Sequence, residues 1–190
     1  MRTTLAVLIV LPTMVFSQFS ARLSYSQGDP TYRWVNSSES VDLSILYATS
    51  DQWRIGATLA WQYLALHSTG NQAIMTPLTI SGRYYTSSAG TRGYFEGFAG
   101  IVRRYYQYLI YSEFSSGDGQ DFVSRNSSIH YAPLYGVGVG LAVPVVPDLD
   151  LNLGVQIDVS PKGFRRSNKD FHLSDGFSQT RALIALEYSL

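Results

Sequence analysis

The chain has 190 residues, with 14 Lys and Arg against 14 Asp and Glu, enough length for one domain and no net charge to suggest a nucleic-acid or strongly acidic partner. It contains no cysteine, which excludes disulfides, thiolate metal sites and a thiol nucleophile. Its 14 tyrosines each combine an apolar ring with a polar tip, which suits a boundary between oil-like and wet surroundings; a Tyr-rich soluble β-sandwich would share that composition.

In chain order, Met1 and Arg2 form a short basic start, and Leu5 to Phe16 is nearly all apolar. Val15-Phe16-Ser17 then offers a cleavage site before Gln18, the layout of a secretory signal. The run falls short of the roughly 20 apolar residues of a spanning helix. Residues 1–17 are expected to be a signal peptide and residues 18–190 the mature domain. No later stretch reaches helical spanning length, so a mature chain in a membrane must cross it as strands.

From Phe19 onward the pattern has period two. The first run sets Phe19, Ala21, Leu23 and Tyr25 against Ser20, Arg22, Ser24 and Ser26. The second sets Val41, Leu43, Ile45 and Tyr47 against Asp42, Ser44 and Ala48. The third alternates Trp53, Ile55, Ala57, Leu59, Trp61 and Tyr63 with Arg54, Gly56, Thr58, Ala60 and Gln62, and the fourth sets Leu78, Ile80 and Tyr84 against Thr79, Ser81 and Arg83.

The fifth run, about 93–109, is less tidy. Phe95, Ala99, Ile101 and Tyr105 oppose Glu96, Gly100 and Arg104, but Arg103 falls on the apolar face and Phe98 on the polar one. Either a bulge or a strand continuing past a membrane would account for this. The sixth run alternates Tyr135, Val137, Val139, Leu141, Val143 and Val145 with Gly136, Gly138, Gly140 and Ala142. The seventh sets Leu149, Leu151, Leu153, Val155, Ile157 and Val159 against Asp150, Asn152, Gly154, Gln156, Asp158 and Ser160. The eighth sets Ala182, Ile184, Leu186, Tyr188 and Leu190 against Arg181, Ala185, Glu187 and Ser189.

Short links follow runs two, four and six: 50–52, about 87–92, and 146–148. Longer polar links follow runs one, five and seven, at about 27–39, 110–128 and 162–178, and the link at about 67–71 is intermediate. Short turns alternating with long loops predict an all-β fold, a closed antiparallel up-and-down transmembrane β-barrel of about eight strands, with the long loops outside. A soluble eight-stranded barrel would carry its bulky residues inside. Here the minority face is small residues with scattered charges: Arg22, Asp42, Arg54, Arg83, Glu96, Arg104, Asp158, Arg181 and Glu187. Small residues suit a narrow lumen, and charges of both signs would neutralise one another there as a lumen charge network. Lys occurs only at Lys162 and Lys169, unlike a solvated sheet face. Tyr25, Tyr47, Trp53, Tyr63, Tyr84 and Tyr188 lie at the ends of the apolar faces, as interfacial girdles or as cross-strand aromatic pairs.

With these runs in place, the mature chain resembles the small outer-membrane β-barrel superfamily of the OmpA-membrane-domain and OmpX type. Its end, Ala182-Leu183-Ile184-Ala185-Leu186-Glu187-Tyr188-Ser189-Leu190, is similar to the C-terminal strand signal of such barrels, which usually closes on an aromatic residue where this chain has Leu190. The resemblance implies a bacterial outer-membrane location, outer-membrane lipid and lipopolysaccharide as surroundings, recognition by the barrel-assembly machinery through the last strand, and a monomer. Some members modify lipid A with a His and a Ser at the rim. This chain's histidines are His67, His130 and His172, and no matching His-Ser pair is found. His130 has Ser127, Ser128, Glu113 and Asp121 nearby in sequence, but nothing in the spacing enforces a base held by a carboxylate.

Asp118 and Asp121 lack the ligand spacing of a calcium loop. Lys162, Arg165, Arg166 and Lys169, near Phe164 and Phe171, form a possible loop for an anionic partner. No catalytic residue, cofactor or metal is expected. The expected role is non-enzymatic: structural, adhesive or surface-interacting. The alternatives are a narrow channel for small or apolar solutes and a lipid A-modifying hydrolase or acyltransferase.

Overall fold

Alternating bulky apolar with small or polar residues sorts them onto two faces only if the segment is a strand. When one face meets lipid, every backbone donor and acceptor must be paired, and a closed sheet is the strand solution. The computed structural model describes residues 18–30, 35–66, 72–112, 122–161 and 176–190. They form β1 (Phe19–Pro30), β2 (Val35–Ala48), β3 (Trp53–Leu66), β4 (Gln72–Tyr85), β5 (Arg92–Ser112), β6 (Phe122–Val146), β7 (Leu149–Ser160) and β8 (Phe177–Ser189). Each pairs antiparallel with its neighbours, and β8 returns to β1 to close the barrel. The expected signal peptide lies outside the described residues.

The register fixes the tilt. From Phe19 the pairing passes to Tyr47, Ile55, Gly82, Gly97, Val137, Ile157 and Thr180, then returns to β1 at Asp29. The circuit thus climbs ten residues along β1. Ten residues of rise over eight strand spacings correspond to a strand tilt of about 40°. At that tilt the apolar outer faces cover roughly 25 Å of height, the thickness of an outer-membrane apolar band.

Phe19 with Tyr47 and Trp53 with Tyr84 stack across strands at the short-turn end, with ring centroids 5.1 and 5.2 Å apart. Girdle position and cross-strand packing therefore coincide in these rings. Trp61, Tyr63 and Tyr135 are exposed towards the other end.

The strands extend beyond their apolar runs. β1 continues through Asp29 and β2 begins at Val35, so most of the expected 27–39 loop is ladder, with Gln27 paired to Glu39. Likewise β5 and β6 pair as far as Ser112 and Phe122, inside the expected 110–128 loop. Beyond the apolar runs of β1 and β2 the outer face turns polar, as at Gln27 and Glu39, while backbone pairing continues, so hydrophobicity underestimates strand length. The same extension accounts for Arg103 in the fifth run. The ladders of β5 show no register shift; Arg103 points outward just above the apolar band, and Phe98 points inward.

The turns are tight. Thr49 and Ser50 N–H both donate to the Trp53 carbonyl, at 2.9 and 3.3 Å. Between β6 and β7 only 147–148 remain, with Asp148 at φ 65°, a left-handed conformation that Asp tolerates better than most residues. Arg92, read as part of a turn, begins β5.

Candidate functional site

The interior of the barrel gathers most of the chemistry-bearing residues. The inward positions of eight strands converge on a space only a few side chains wide, so residues far apart in sequence meet there. All nine charges expected on the minority face lie inside: Arg54 is part-buried and Arg22, Asp42, Arg83, Glu96, Arg104, Asp158, Arg181 and Glu187 are buried.

They form two groups at different heights. Near the short-turn end, Arg22 grips Glu96 with both guanidinium nitrogens at 3.1 and 3.2 Å. Arg83 bridges two carboxylates, donating to Glu96 at 2.7 Å and to Glu187 at 3.1 Å. Glu187 also takes donors from Arg54, from Ser20 at 3.2 Å and from the Tyr85 hydroxyl at 3.3 Å. Arg83 lies over the Tyr94 ring, 4.2 Å from its centroid, which adds cation–π attraction. Nearer the long-loop end, Arg181 faces Asp42 at 3.5 Å and Asp158 at 2.7 Å. The 2.7 Å approach, through Nε, is a charge contact without hydrogen-bond alignment. Gln179 joins this group, donating to Asp158 at 2.6 Å and accepting from Gln62 at 2.7 Å and Ser38 at 2.8 Å.

Between the groups a void of about 30 Å³ is lined by Arg22, Asp42, Ser81, Glu96, Gln156 and Arg181, among others, room for about one or two waters. Gly136, Gly140 and Gly154 leave space for rings in the lumen: a Cβ on Gly136 would come 2.1 Å from Phe98 Cζ, and on Gly154 2.3 Å from the Tyr94 hydroxyl oxygen.

Several contributors were not singled out from the sequence. Arg92 and Asp150 form an ion pair at the short-turn mouth, 2.6 Å apart; both continue the inward parity of their strands, a signal available once β5 is started one residue earlier. Tyr85 and Tyr94, which belong to none of the period-two runs read from the sequence, also pack inward, with centroids 6.2 Å apart. At the long-loop end the lumen is apolar: Val35, Leu64, Ala73, Met75, Val102, Tyr106, Ala132, Leu134 and Phe177 form one buried cluster. These apolar residues on the minority face are what a search for charges passes over.

Arg104 stands apart. It hydrogen-bonds the Ser160 hydroxyl and, among the described residues, has no carboxylate within ion-pair distance. His130 lies directly across from it on β6, half-buried, with its ring 6.1 Å from Tyr106. His67, His172, Glu113, Asp118, Asp121 and the loop cluster Lys162, Arg165, Arg166 and Lys169 lie outside the described residues.

No protein-family model matches the chain, and no curated protein matches it. Among solved structures it is similar to Neisserial surface protein A, with a TM-score of 0.60 at 14% identity over 90% of this chain and 96% of that one. It is also similar to Ail, the attachment invasion locus protein of Yersinia pestis, with a TM-score of 0.52 at 15% identity over 90% and 96%. A third likeness is to the outer membrane enzyme PagL, with a TM-score of 0.50 at 12% identity over 89% and 99%. The chain therefore has the fold of the small eight-stranded outer-membrane β-barrels, and it has that fold along nearly the whole length of each of these structures.

Proposed function

We propose that the protein is a bacterial outer-membrane barrel, exported by cleavage of residues 1–17, that serves the envelope or its surface as a non-enzymatic, closed element. One observation carries this reading: a complete outward belt of exposed Leu, Ile, Val and aromatic side chains surrounds a lumen in which the charges are enclosed. In water such a belt would be an exposed apolar surface far larger than soluble monomers tolerate; in lipid it is the ordinary outer face. Strand β8, which closes on β1, is the segment the assembly machinery would recognise. The loop bearing Lys162, Arg165, Arg166 and Lys169 is the candidate contact for lipopolysaccharide or another anionic surface partner. The ion-paired and ring-packed interior of the described residues favours a closed barrel over a solute channel, and residence as a monomer suits a barrel with no unpaired sheet edge in its membrane belt.

The test is the behaviour of the purified chain in detergent. Folded protein is expected to run faster on a detergent gel before boiling than after, and to lose solubility when detergent is withdrawn. A chain that stays soluble without detergent and shows no mobility shift would overturn the reading.

A further inference from the structure

We propose that the outer end of the lumen holds a binding site for a small oxyanion, a carboxylate or phosphate group, built on Arg104. Arg22, Arg54, Arg83, Arg92 and Arg181 each face a carboxylate inside the barrel. Arg104, only 2% exposed, faces none among the described residues. Its Nε is buried without a partner, and the Ser160 hydroxyl that accepts from its Nη2 itself donates to the Pro133 carbonyl at 2.6 Å. The neighbours are apolar: Val102 and Tyr106 precede and follow it on the inward face of β5, and Met75 lies opposite on β4.

An arginine buried in such a place with no carboxylate partner among the described residues is destabilising, and an arriving anion would relieve it. The site also has a direction. Arg104 lies towards the long-loop end, above the apolar belt. Half-buried His130, directly opposite it on β6, supplies a second nitrogen-bearing group. The planar guanidinium fork matches the paired oxygens of a carboxylate or phosphate. Deeper in the lumen Arg22, Arg54, Arg83 and Arg181 are matched in number by Glu96, Glu187, Asp42 and Asp158, and each of those arginines already has a carboxylate within ion-pair distance.

The experiment is thermal unfolding of the full folded chain in detergent, followed by gel mobility, with sodium acetate or sodium phosphate compared with sodium chloride at equal ionic strength. At about ten times the dissociation constant, the specific anion should raise the midpoint by about 3 °C over chloride. The shift should persist in Arg103→Gln, which alters an outward arginine, and vanish in Arg104→Gln. Acetate acting alone would assign a carboxylate, phosphate acting alone a phosphate group. No shift beyond chloride, or an equal shift in Arg104→Gln, would overturn the proposal. If Arg104→Gln and Arg104→Lys both fail to fold, Arg104 already has its counter-charge within the fold, which overturns it as well.

Discussion

At the scale of single residues, the lumen holds charges that are individually expensive and jointly satisfied. Glu187 is 1% exposed and is the common acceptor for Arg54, Arg83, Ser20 and Tyr85. Glu187→Gln keeps the shape but leaves, among the described residues, Arg54 without a carboxylate and Arg83 with Glu96 alone, and should cost about 3–5 kcal/mol, read as a lower urea midpoint for loss of the fast-migrating form. The glycines divide by face. Gly140→Ala would place Cβ 2.3 Å from the Leu153 carbonyl oxygen and 2.5 Å from the Tyr94 ring; the backbone atom cannot yield, so a loss of about 1–3 kcal/mol is expected. Gly97 points outward with open space around it, and Gly97→Ala should unfold at the wild-type midpoint or above it in the same assay. The period-two pattern makes the face of each of these residues legible. It does not say that Glu96 serves both Arg22 and Arg83: Arg83 is its register partner on the adjacent strand β4, while Arg22 on β1 reaches it only across the lumen.

At the scale of the strand, what was readable was the segment that crosses the apolar belt. Leu43 sits near the middle of β2's outward face and is 55% exposed. Leu43→Arg should cost about 2–4 kcal/mol if that face meets lipid at mid-depth, measured as the same gel transition in bilayers. A change within experimental error would mean water, not lipid, at that position. The parts of β1 and β2 beyond the belt read as loops because their outer residues, such as Gln27 and Glu39, are polar. Pairing there is maintained by the ladder itself, with Gln27 opposite Glu39, and a hydrophobicity pattern carries no trace of backbone hydrogen bonds. Arg103 and Phe98, which disturbed the fifth run, have separate causes: Arg103 lies past the belt, and Phe98 fills lumen space left by Gly136.

At the scale of the whole molecule, the lumen is stacked in tiers: a mouth ion pair, an arginine–tyrosine–glutamate layer, a small void, a second ion-pair and glutamine layer, then an apolar plug. Wild-type protein in planar bilayers should show no ohmic conductance, and steady single-channel steps would remove the closed-barrel reading. The sequence by itself determined that this chain makes strands, how many, which face of each is apolar, and that their ends differ, since all of these are local consequences of a period-two pattern and of loop length. Only the tertiary structure decided which charges pair and that, among the described residues, Arg104 has no carboxylate partner. Those follow from the ten-residue climb of the register and the width of an eight-stranded barrel, which set neighbours across the lumen irrespective of their distance along the chain.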